Sequence, residues 1–328
     1  MNMIMNKTLK MLATLALPLT LALGFASCEN GDKEFDDYDY QTVYFAQQNP
    51  IRTITLGEDD VFPNDLDNQH ECQLQVVVGG VWKNNKNRHV KIAVDNSLVD
   101  NLSFDGINGA AFANTGKPVM AMPQNYYELE STDVTIPAGD VRGKVNVHLT
   151  DAFFADPKSA EVTYVLPVRI VSAEDSILKG QDYTLYAITY KNPYAGSWIV
   201  TNDGSVVTLS TRSMSQVAYP HSEVVKVDGK EKTLDGTVLM TVGNDGAVAF
   251  STTSQDCTVT GSGKWTSLGA KKDSSKKWGD KDRDLFEVKY TITYTYTDGG
   301  QTKTIVKNYD EKLVMQTRGN KMQTFSTK

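Results

Sequence analysis

Apolar and polar side chains alternate with a period of two through most of this 328-residue chain, which restricts it to β structure. The alternation is clearest over 285–297, where one face consists of Phe286, Val288, Tyr290, Ile292, Tyr294 and Tyr296. A strand presents successive side chains to opposite faces, whereas a helix needs apolar residues three and four positions apart. Helical spacing is hard to find after residue 28. The sequence therefore predicts an all-β protein.

The first part of the chain, residues 41–192, contains short alternating segments separated by turn residues. The candidate strands are Thr42–Ala46, Arg52–Leu56, Gln73–Val78, Val90–Val94, Tyr127–Glu130, Val134–Ile136, Lys144–Leu149, Thr163–Val171 and Tyr183–Tyr190. Asp151–Asp156 is the one segment that fits a helical turn. This density of strands is typical of a β-sandwich, and we predict one of immunoglobulin-like kind.

The segment Asn192-Pro193-Tyr194-Ala195-Gly196 is a predicted domain boundary, because proline cannot donate to a β-ladder and glycine frees the backbone. The hairpin turns beyond it are Asp228-Gly229, Asn244-Asp245-Gly246 and Asp298-Gly299-Gly300, and Gly261-Ser262-Gly263-Lys264 is interpreted as another. Successive hairpins predict that residues 193–328 form an antiparallel β-barrel of lipocalin- or streptavidin-like kind. A second sandwich is the alternative.

The N-terminus carries the pattern of an exported protein. Lys7 and Lys10 precede an apolar run over 11–25 that is too short to span a bilayer and ends in small residues. Cys28 follows directly, so the segment resembles a bacterial lipobox, although Phe25 departs from the usual aliphatic residue. We predict a signal peptide over 1–27, lipidation of Cys28 and an acidic tether over 28–40. An ordinary signal peptide with an incidental cysteine is the alternative.

The charge balance argues against a nucleic-acid partner, because phosphate contacts require a basic surface and the net charge is −7. The charge is also uneven. Residues 28–192 hold 13 basic and 25 acidic side chains, whereas residues 193–328 hold 18 and 15. The lysines at 264, 271, 272, 276 and 277 could contact acidic glycans or lipid headgroups, or they could simply form a solvated loop.

No spacing in the sequence indicates a cofactor or a catalytic centre. Apart from Cys28, only Cys72 and Cys257 are present, and neither they nor the four histidines have the spacing of a zinc site. We expect no cofactor. The acidic series Asp280, Asp282, Asp284 is similar to the start of a calcium loop, but Leu285 replaces the glycine that such a loop needs. It is a weak calcium candidate, and a charged loop between strands is the simpler interpretation.

Sugar recognition needs no sequence motif, only an aromatic face and nearby polar groups. Trp82 lies beside a run of amides and cations, which makes Trp82, Asn84 and Asn85 candidate glycan contacts. Trp278 lies in a similar lysine-rich setting and is the second candidate. Trp198 and Trp265 stand in apolar strands and are expected in the core. A packing role for the two candidates is the alternative.

Several segments resemble an uncharacterised domain of Bacteroidetes lipoproteins. They are Tyr126-Tyr127-Glu128-Leu129, Val134-Thr135-Ile136-Pro137-Ala138-Gly139, Tyr164-Val165-Leu166-Pro167-Val168-Arg169-Ile170 and Tyr183-Thr184-Leu185-Tyr186-Ala187-Ile188. The same domain precedes the catalytic barrel of Bacteroides endo-β-N-acetylglucosaminidases of glycoside hydrolase family eighteen. The resemblance implies a place in a glycan-utilisation system beside an outer-membrane transporter. It implies no activity, because in those enzymes the chemistry belongs to a different domain. Their catalytic Asp-x-x-Asp-x-Asp-x-Glu motif is also missing here.

These observations favour a non-enzymatic lipoprotein on the outer membrane, facing the cell surface. We expect it to bind or present glycans of host or yeast type, in contact with a transporter complex. A structural, assembly or adhesin-like subunit of an outer-membrane complex is the second hypothesis. Glycoside hydrolysis is the third.

Overall fold

The computed structural model describes residues 38–58 and 63–328, which form a two-sheet sandwich followed by a closed barrel. The predicted signal peptide, Cys28 and most of the tether lie outside the described residues. In the described part of the chain, every helix is too short or too polar to cross a bilayer. The all-β prediction is confirmed, and so is the order of sandwich and barrel.

Short strands, most of them close to the predicted ones, build the sandwich. They are β1 (Thr42–Tyr44), β2 (Pro50–Thr55), β3 (Glu71–Gly79), β4 (Arg88–Val94), β5 (Phe104–Ile107), β6 (Met120–Ala121), β7 (Tyr127–Leu129), β8 (Asp133–Ile136), β9 (Arg142–Leu149), β10 (Tyr164–Ala173), β11 (Ser176–Ile177) and β12 (Tyr183–Lys191). The helical segments are α1 (Asp65–Asn68), α2 (Asp151–Ala155) and three short 3-10 turns at Asn96–Val99, Gln124–Tyr126 and Pro157–Ala160.

Hairpins supply the strands of the barrel, as the turn residues indicate. The strands are β13 (Gly196–Val200), β14 (Val206–Ser213), β15 (Gln216–Tyr219), β16 (Ser222–Val227), β17 (Lys230–Asp235), β18 (Val238–Val242), β19 (Ala247–Ser251), β20 (Cys257–Ala270), β21 (Arg283–Asp298), β22 (Gln301–Thr317) and β23 (Gln323–Thr327). Positive φ angles at Asp228, Gly229, Gly299 and Gly300 confirm two of the predicted tight turns.

The two sheets of the sandwich enclose one apolar core. The first sheet has the order β11-β1-β3-β9-β7, and the second has the order β5-β23-β2-β12-β10-β4-β8, with β6 beside β10. Inward positions of β9 show why the alternation matters, since Val145, Val147 and Leu149 are all buried. Helix α2, predicted from the sequence, adds the buried rings of Phe153 and Phe154 to this core.

The barrel closes because its first and last strands, β13 and β22, pair antiparallel. Its interior is filled by side chains, among them Trp198 and Phe286, both fully buried. The hairpin β16–β17 lies outside the closed ring and packs the buried side chains of Val225 and Leu234 onto the barrel core. Eight strands leave an interior that side chains can fill, which is what they do here.

One predicted turn is wrong. The segment Gly261-Ser262-Gly263-Lys264 lies inside the long strand β20, not in a hairpin turn. The glycines are needed for a close approach, since a Cβ on Gly261 would lie 2.5 Å from the Cβ of Tyr290 on β21. Glycine in a strand commonly marks such close packing, and here sequence alone could not separate it from a turn.

The last strand leaves the barrel and returns to the sandwich. Strand β23 pairs with β2 on one side and with β5 on the other, so it completes the larger sheet of the first domain. Its side chain Phe325 is buried beside Phe104, with the ring centroids 5.5 Å apart. The domain division predicted from the sequence assigned all of residues 193–328 to the second domain. It did not include the return of β23 to the first.

Phe325→Ala tests how strongly this strand holds the first domain. Removing a buried phenylalanine ring leaves a cavity, so the free energy of unfolding should fall by about 3–5 kcal/mol. Denaturant unfolding, with hydrogen exchange in β2 and β5 as the local readout, measures the effect. Met322→Ala is the matched control, because Met322 is 85% exposed and its truncation should change stability by less than about 0.5 kcal/mol. Equal stability of the two variants would contradict the structural role of β23.

Candidate functional site

A cleft on the outer surface of the barrel contains Trp278, one of the two tryptophans singled out in the sequence. The loop 271–282 between β20 and β21 folds back over the barrel wall and encloses a volume of about 500 Å³. We name it the Trp278 cleft. Its lining residues are Ile199, Thr201, Gly204, Ala270, Ser275, Lys276, Lys277, Trp278, Leu285, Lys312 and Val314.

The floor of the Trp278 cleft is apolar because three outward-facing residues meet across neighbouring strands. Ile199 of β13 and Leu285 of β21 both stand opposite Val314 of β22 in the sheet register. Such positions would normally face water, since Trp198 and Phe286 beside them point inward. Ile199 and Val314 are nonetheless only 1% exposed, and both line the cleft together with residues of the loop that carries Trp278.

Hydrogen bonds fix the loop that carries Trp278. The Asp282 carboxylate accepts from Lys271 Nζ and from the Lys272 backbone N–H, both at 2.9 Å, and Asp273 accepts from the N–H and hydroxyl of Ser275. The indole Nε1 of Trp278 donates to the Lys271 carbonyl at 3.2 Å. The ring is therefore held by its polar edge and is half-buried. A fixed, half-buried indole is a suitable stacking surface for an apolar ligand face.

Of the candidate glycan contacts around Trp82, two lie on the surface and one is buried in a structural role. Trp82 is 62% exposed in the loop between β3 and β4, and Asn85 is exposed beside it. Asn84 is buried, because its amide donates to the carbonyls of Pro137 and Asp140 and its oxygen accepts from Arg88 Nε. Asn84 therefore holds the loop in place, and the prediction that it contacts a glycan gains no support from this geometry.

The three aspartates of the weak calcium candidate do not converge on one point. Asp280 binds Arg283 and Asp282 binds Lys271, whereas Asp284 is buried against Arg318. Across residues 38–58 and 63–328, no three acidic, histidine or cysteine side chains are placed to hold a metal ion together. The arrangement corresponds to the simpler interpretation, a charged loop.

A second group of polar side chains, which the sequence analysis did not single out, lies inside the barrel. We call it the Tyr290 cluster, and it consists of Tyr219, His221, Tyr290, Tyr309 and Glu311. The Tyr290 hydroxyl lies 2.9 Å from His221 Nε2 and 3.1 Å from a Glu311 oxygen. The rings of Tyr290 and Tyr309 stack with centroids 4.8 Å apart, and Phe250 stacks on the other face of Tyr290.

Burial shifts the acid–base behaviour of the Tyr290 cluster. It lowers the pKa of His221 to about 4, because a charged imidazolium would be poorly solvated there. Burial also raises the pKa of Glu311, although hydrogen bonds from Tyr290 and Tyr219 oppose the rise. The pKa values of Tyr219 and Tyr290 are raised by burial and by the neighbouring carboxylate. The cluster is a hydrogen-bonded polar core within the barrel.

One sequence signal for the Tyr290 cluster exists. In β22 the inward positions include Tyr309, Glu311 and Leu313, so an acid stands on the apolar face of the strand. A buried acid needs hydrogen-bond partners, which predicts a polar group opposite it. The partners themselves come from β15, β21 and the residue just before β16, and only closure of the barrel brings them together.

Two family models match adjoining parts of the chain. One, described as an N-terminal domain, matches residues 38–177, which covers most of the sandwich. The other, DUF5627, a domain of unknown function, matches residues 174–319, which extends from the end of the sandwich through the barrel. No curated protein matches the sequence.

Several solved structures from Bacteroides ovatus are similar to this chain. One, a protein of unknown function, is 31% identical with a TM-score of 0.73, and the match covers 89% of this chain and 99% of that one. Two others are 14% identical: a second protein of unknown function, with a TM-score of 0.45, and a multidomain protein including DUF1735, with a TM-score of 0.44. Each of these matches covers 88% of this chain and 95% of the other.

The Tyr290 cluster predicts how the stability of the barrel depends on pH. Between pH 6.5 and about 4, His221 takes up a proton in the unfolded chain but not in the folded barrel, so stability falls as the pH falls. Relative to His221→Gln, the wild type should lose up to about 3 kcal/mol over this range. Denaturant unfolding at several pH values, followed by tryptophan fluorescence, measures the difference.

The variant Glu311→Gln tests a contribution to the pH dependence of stability that has the opposite sign to that of His221. Glu311 has a raised pKa in the folded state, so its own contribution makes stability fall as the pH rises through its titration. The rise of stability with pH should therefore be steeper in Glu311→Gln than in the wild type. Parallel curves for the wild type and His221→Gln would show that His221 titrates alike in both states.

Proposed function

This chain belongs to the family of the 31% identical Bacteroides ovatus protein and carries a DUF5627 domain, and from that premise we propose that it is a non-enzymatic, glycan-binding surface protein. The binding site we propose is the Trp278 cleft. The observation that carries the proposal is a half-buried indole, held by a hydrogen bond, above an apolar floor and beside polar groups.

The cleft has the components that a sugar ring requires. A pyranose presents C–H groups on its faces and hydroxyls around its edge, so it binds between an aromatic surface and hydrogen-bonding groups. Trp278 offers the surface, and Thr201, Ser275 and the lysine ammonium groups are polar groups in the lining. The volume of about 500 Å³ is in the range of small-ligand sites.

The absence of catalysis is part of the proposal. Two-carboxylate hydrolysis of a glycoside needs an acid and a base facing each other across the sugar. The described lining of the Trp278 cleft contains no aspartate or glutamate. We therefore propose that the bound glycan is held and presented, in contact with an outer-membrane transporter complex, and is not cleaved by this chain.

Trp278→Ala tests the site. Truncating a tryptophan at the centre of a binding site typically costs enough to weaken affinity by about tenfold or more. A glycan array of host and yeast glycans identifies a ligand, and isothermal titration then compares the wild type with the variant. Trp82→Ala is the matched control on the other domain.

The outcomes separate the sites. Loss of affinity in Trp82→Ala alone would place binding on the sandwich, at the other tryptophan predicted from the sequence. No binding to any glycan, together with co-purification of a membrane partner, would favour the structural or assembly role. Release of a product from a glycoprotein would establish hydrolysis.

The location at the outer membrane is proposed from the N-terminal pattern. A fatty-acylated Cys28 would anchor the chain to the membrane, with the acidic tether separating the sandwich from the lipid surface. Metabolic labelling with a palmitate analogue should mark the wild type and leave Cys28→Ala unmarked. Equal labelling of the two proteins, or none in the wild type, would contradict the anchor.

A further inference from the structure

We infer that the ligand of the Trp278 cleft is an acidic saccharide, with a carboxylate or sulfate group on the sugar, an inference that rests on the proposed function. The anion would be bound by Lys276, Lys277 and Lys312. Three observations lead to this ligand class: the charges of the lining, the position of the Lys277 ammonium, and the way neighbouring acids are used.

The lining of the cleft carries three cations and no carboxylate among the described residues. The chain as a whole has a net charge of −7, so the charge of the cleft lining is opposite in sign to that of the whole chain. The residues 193–328, which include the cleft, hold 18 basic and 15 acidic side chains. A concave site lined by one sign of charge attracts ligands of the other sign.

Lys277 is held with its ammonium at the rim of the cleft. Its Nζ donates to the Gly204 carbonyl at 2.6 Å, and Gly204 has a φ of +73°, in the left-handed region. A Cβ at position 204 would lie 3.3 Å from that Nζ, so glycine permits the close approach. An ammonium has three donors. The neutral Gly204 carbonyl accepts from one of these donors, so this contact does not neutralise the positive charge of Lys277.

The neighbouring acids Asp203 and Asp273 are not part of the cleft lining, although serine hydrogen bonds and, to a smaller extent, Lys277 and Lys276 lower their pKa values. Asp203 accepts from the Ser205 N–H, and Asp273 accepts from the Ser275 N–H and hydroxyl. Glu287 pairs with Lys312 at 2.6 Å, but both side chains remain substantially exposed, at 47% and 61%. Exposed pairs are weak and are readily exchanged for another anion. Lys312 can therefore contact an acidic sugar that stacks on Trp278.

The experiment uses saccharides that differ only in charge. One pair is an oligogalacturonate and its methyl ester, and the other is a sulfated glycosaminoglycan fragment and its desulfated form. Isothermal titration with the full chain should give at least tenfold tighter binding of one charged member than of its neutral partner. The pair that responds identifies carboxylate or sulfate as the anion. Affinity for that member should also fall as ionic strength rises.

Lysine variants assign the effect to the cleft. Lys276→Gln, Lys277→Gln and Lys312→Gln should each weaken binding of the charged saccharide by about threefold to tenfold, because a charge-assisted hydrogen bond becomes a neutral one. Lys289→Gln is the matched control, since Lys289 is exposed on the same barrel and pairs with Asp310 outside the cleft. Circular dichroism verifies that each variant is folded.

The results distinguish the inference from the proposed function. Equal binding of charged and neutral saccharides, lost in Trp278→Ala, would overturn the inference and leave glycan binding in place. Charged-saccharide binding that survives all three lysine substitutions would also overturn it. No binding of these four saccharides or of any glycan on the array would overturn both.

Discussion

The buried guanidinium of Arg318 links the two domains, in addition to the strand β23 that returns to the sandwich. It is 3% exposed, donates to the carbonyls of Glu58, Pro193 and Ala195, and pairs with the Asp284 carboxylate at 3.2 Å. A buried charge is tolerated only when it is paired and its hydrogen-bonding capacity is used. Those partners come from the sandwich, the linker and the barrel, so the three parts are held in one arrangement around a single side chain.

This junction also bears on the proposed binding site. Asp284, the acid that neutralises Arg318, begins the strand that contributes Leu285 to the floor of the Trp278 cleft. Its other oxygen accepts from the Leu268 N–H at 3.0 Å, which fixes β20 beside the same loop. The cleft is thus built on elements that the junction immobilises. A preformed site loses little conformational entropy when a ligand binds, which suits a protein proposed to hold a glycan and present it.

The two polar groupings of the barrel serve different purposes. The Tyr290 cluster lies inside the wall, where burial favours hydrogen bonds among its own polar groups. The Trp278 cleft lies outside the wall, where ammonium groups remain near solvent and can exchange partners. Trp278 could be picked out in the sequence because a tryptophan among lysines is unlikely to be wholly buried. Its floor could not, since Ile199, Leu285 and Val314 meet only through barrel register.

Sequence by itself determined the all-β class, most of the strands and most of the tight turns, because period-two alternation and glycine-containing turns act within a few residues. It also singled out Trp278 and the lysines near it. Tertiary structure decided what depends on distant segments: the return of β23 to the sandwich, the partners of Arg318 and the burial of Asn84. Local patterns carry no record of which strand pairs with which. Only the closure of sheets, driven by burial of their apolar faces, brings such residues together.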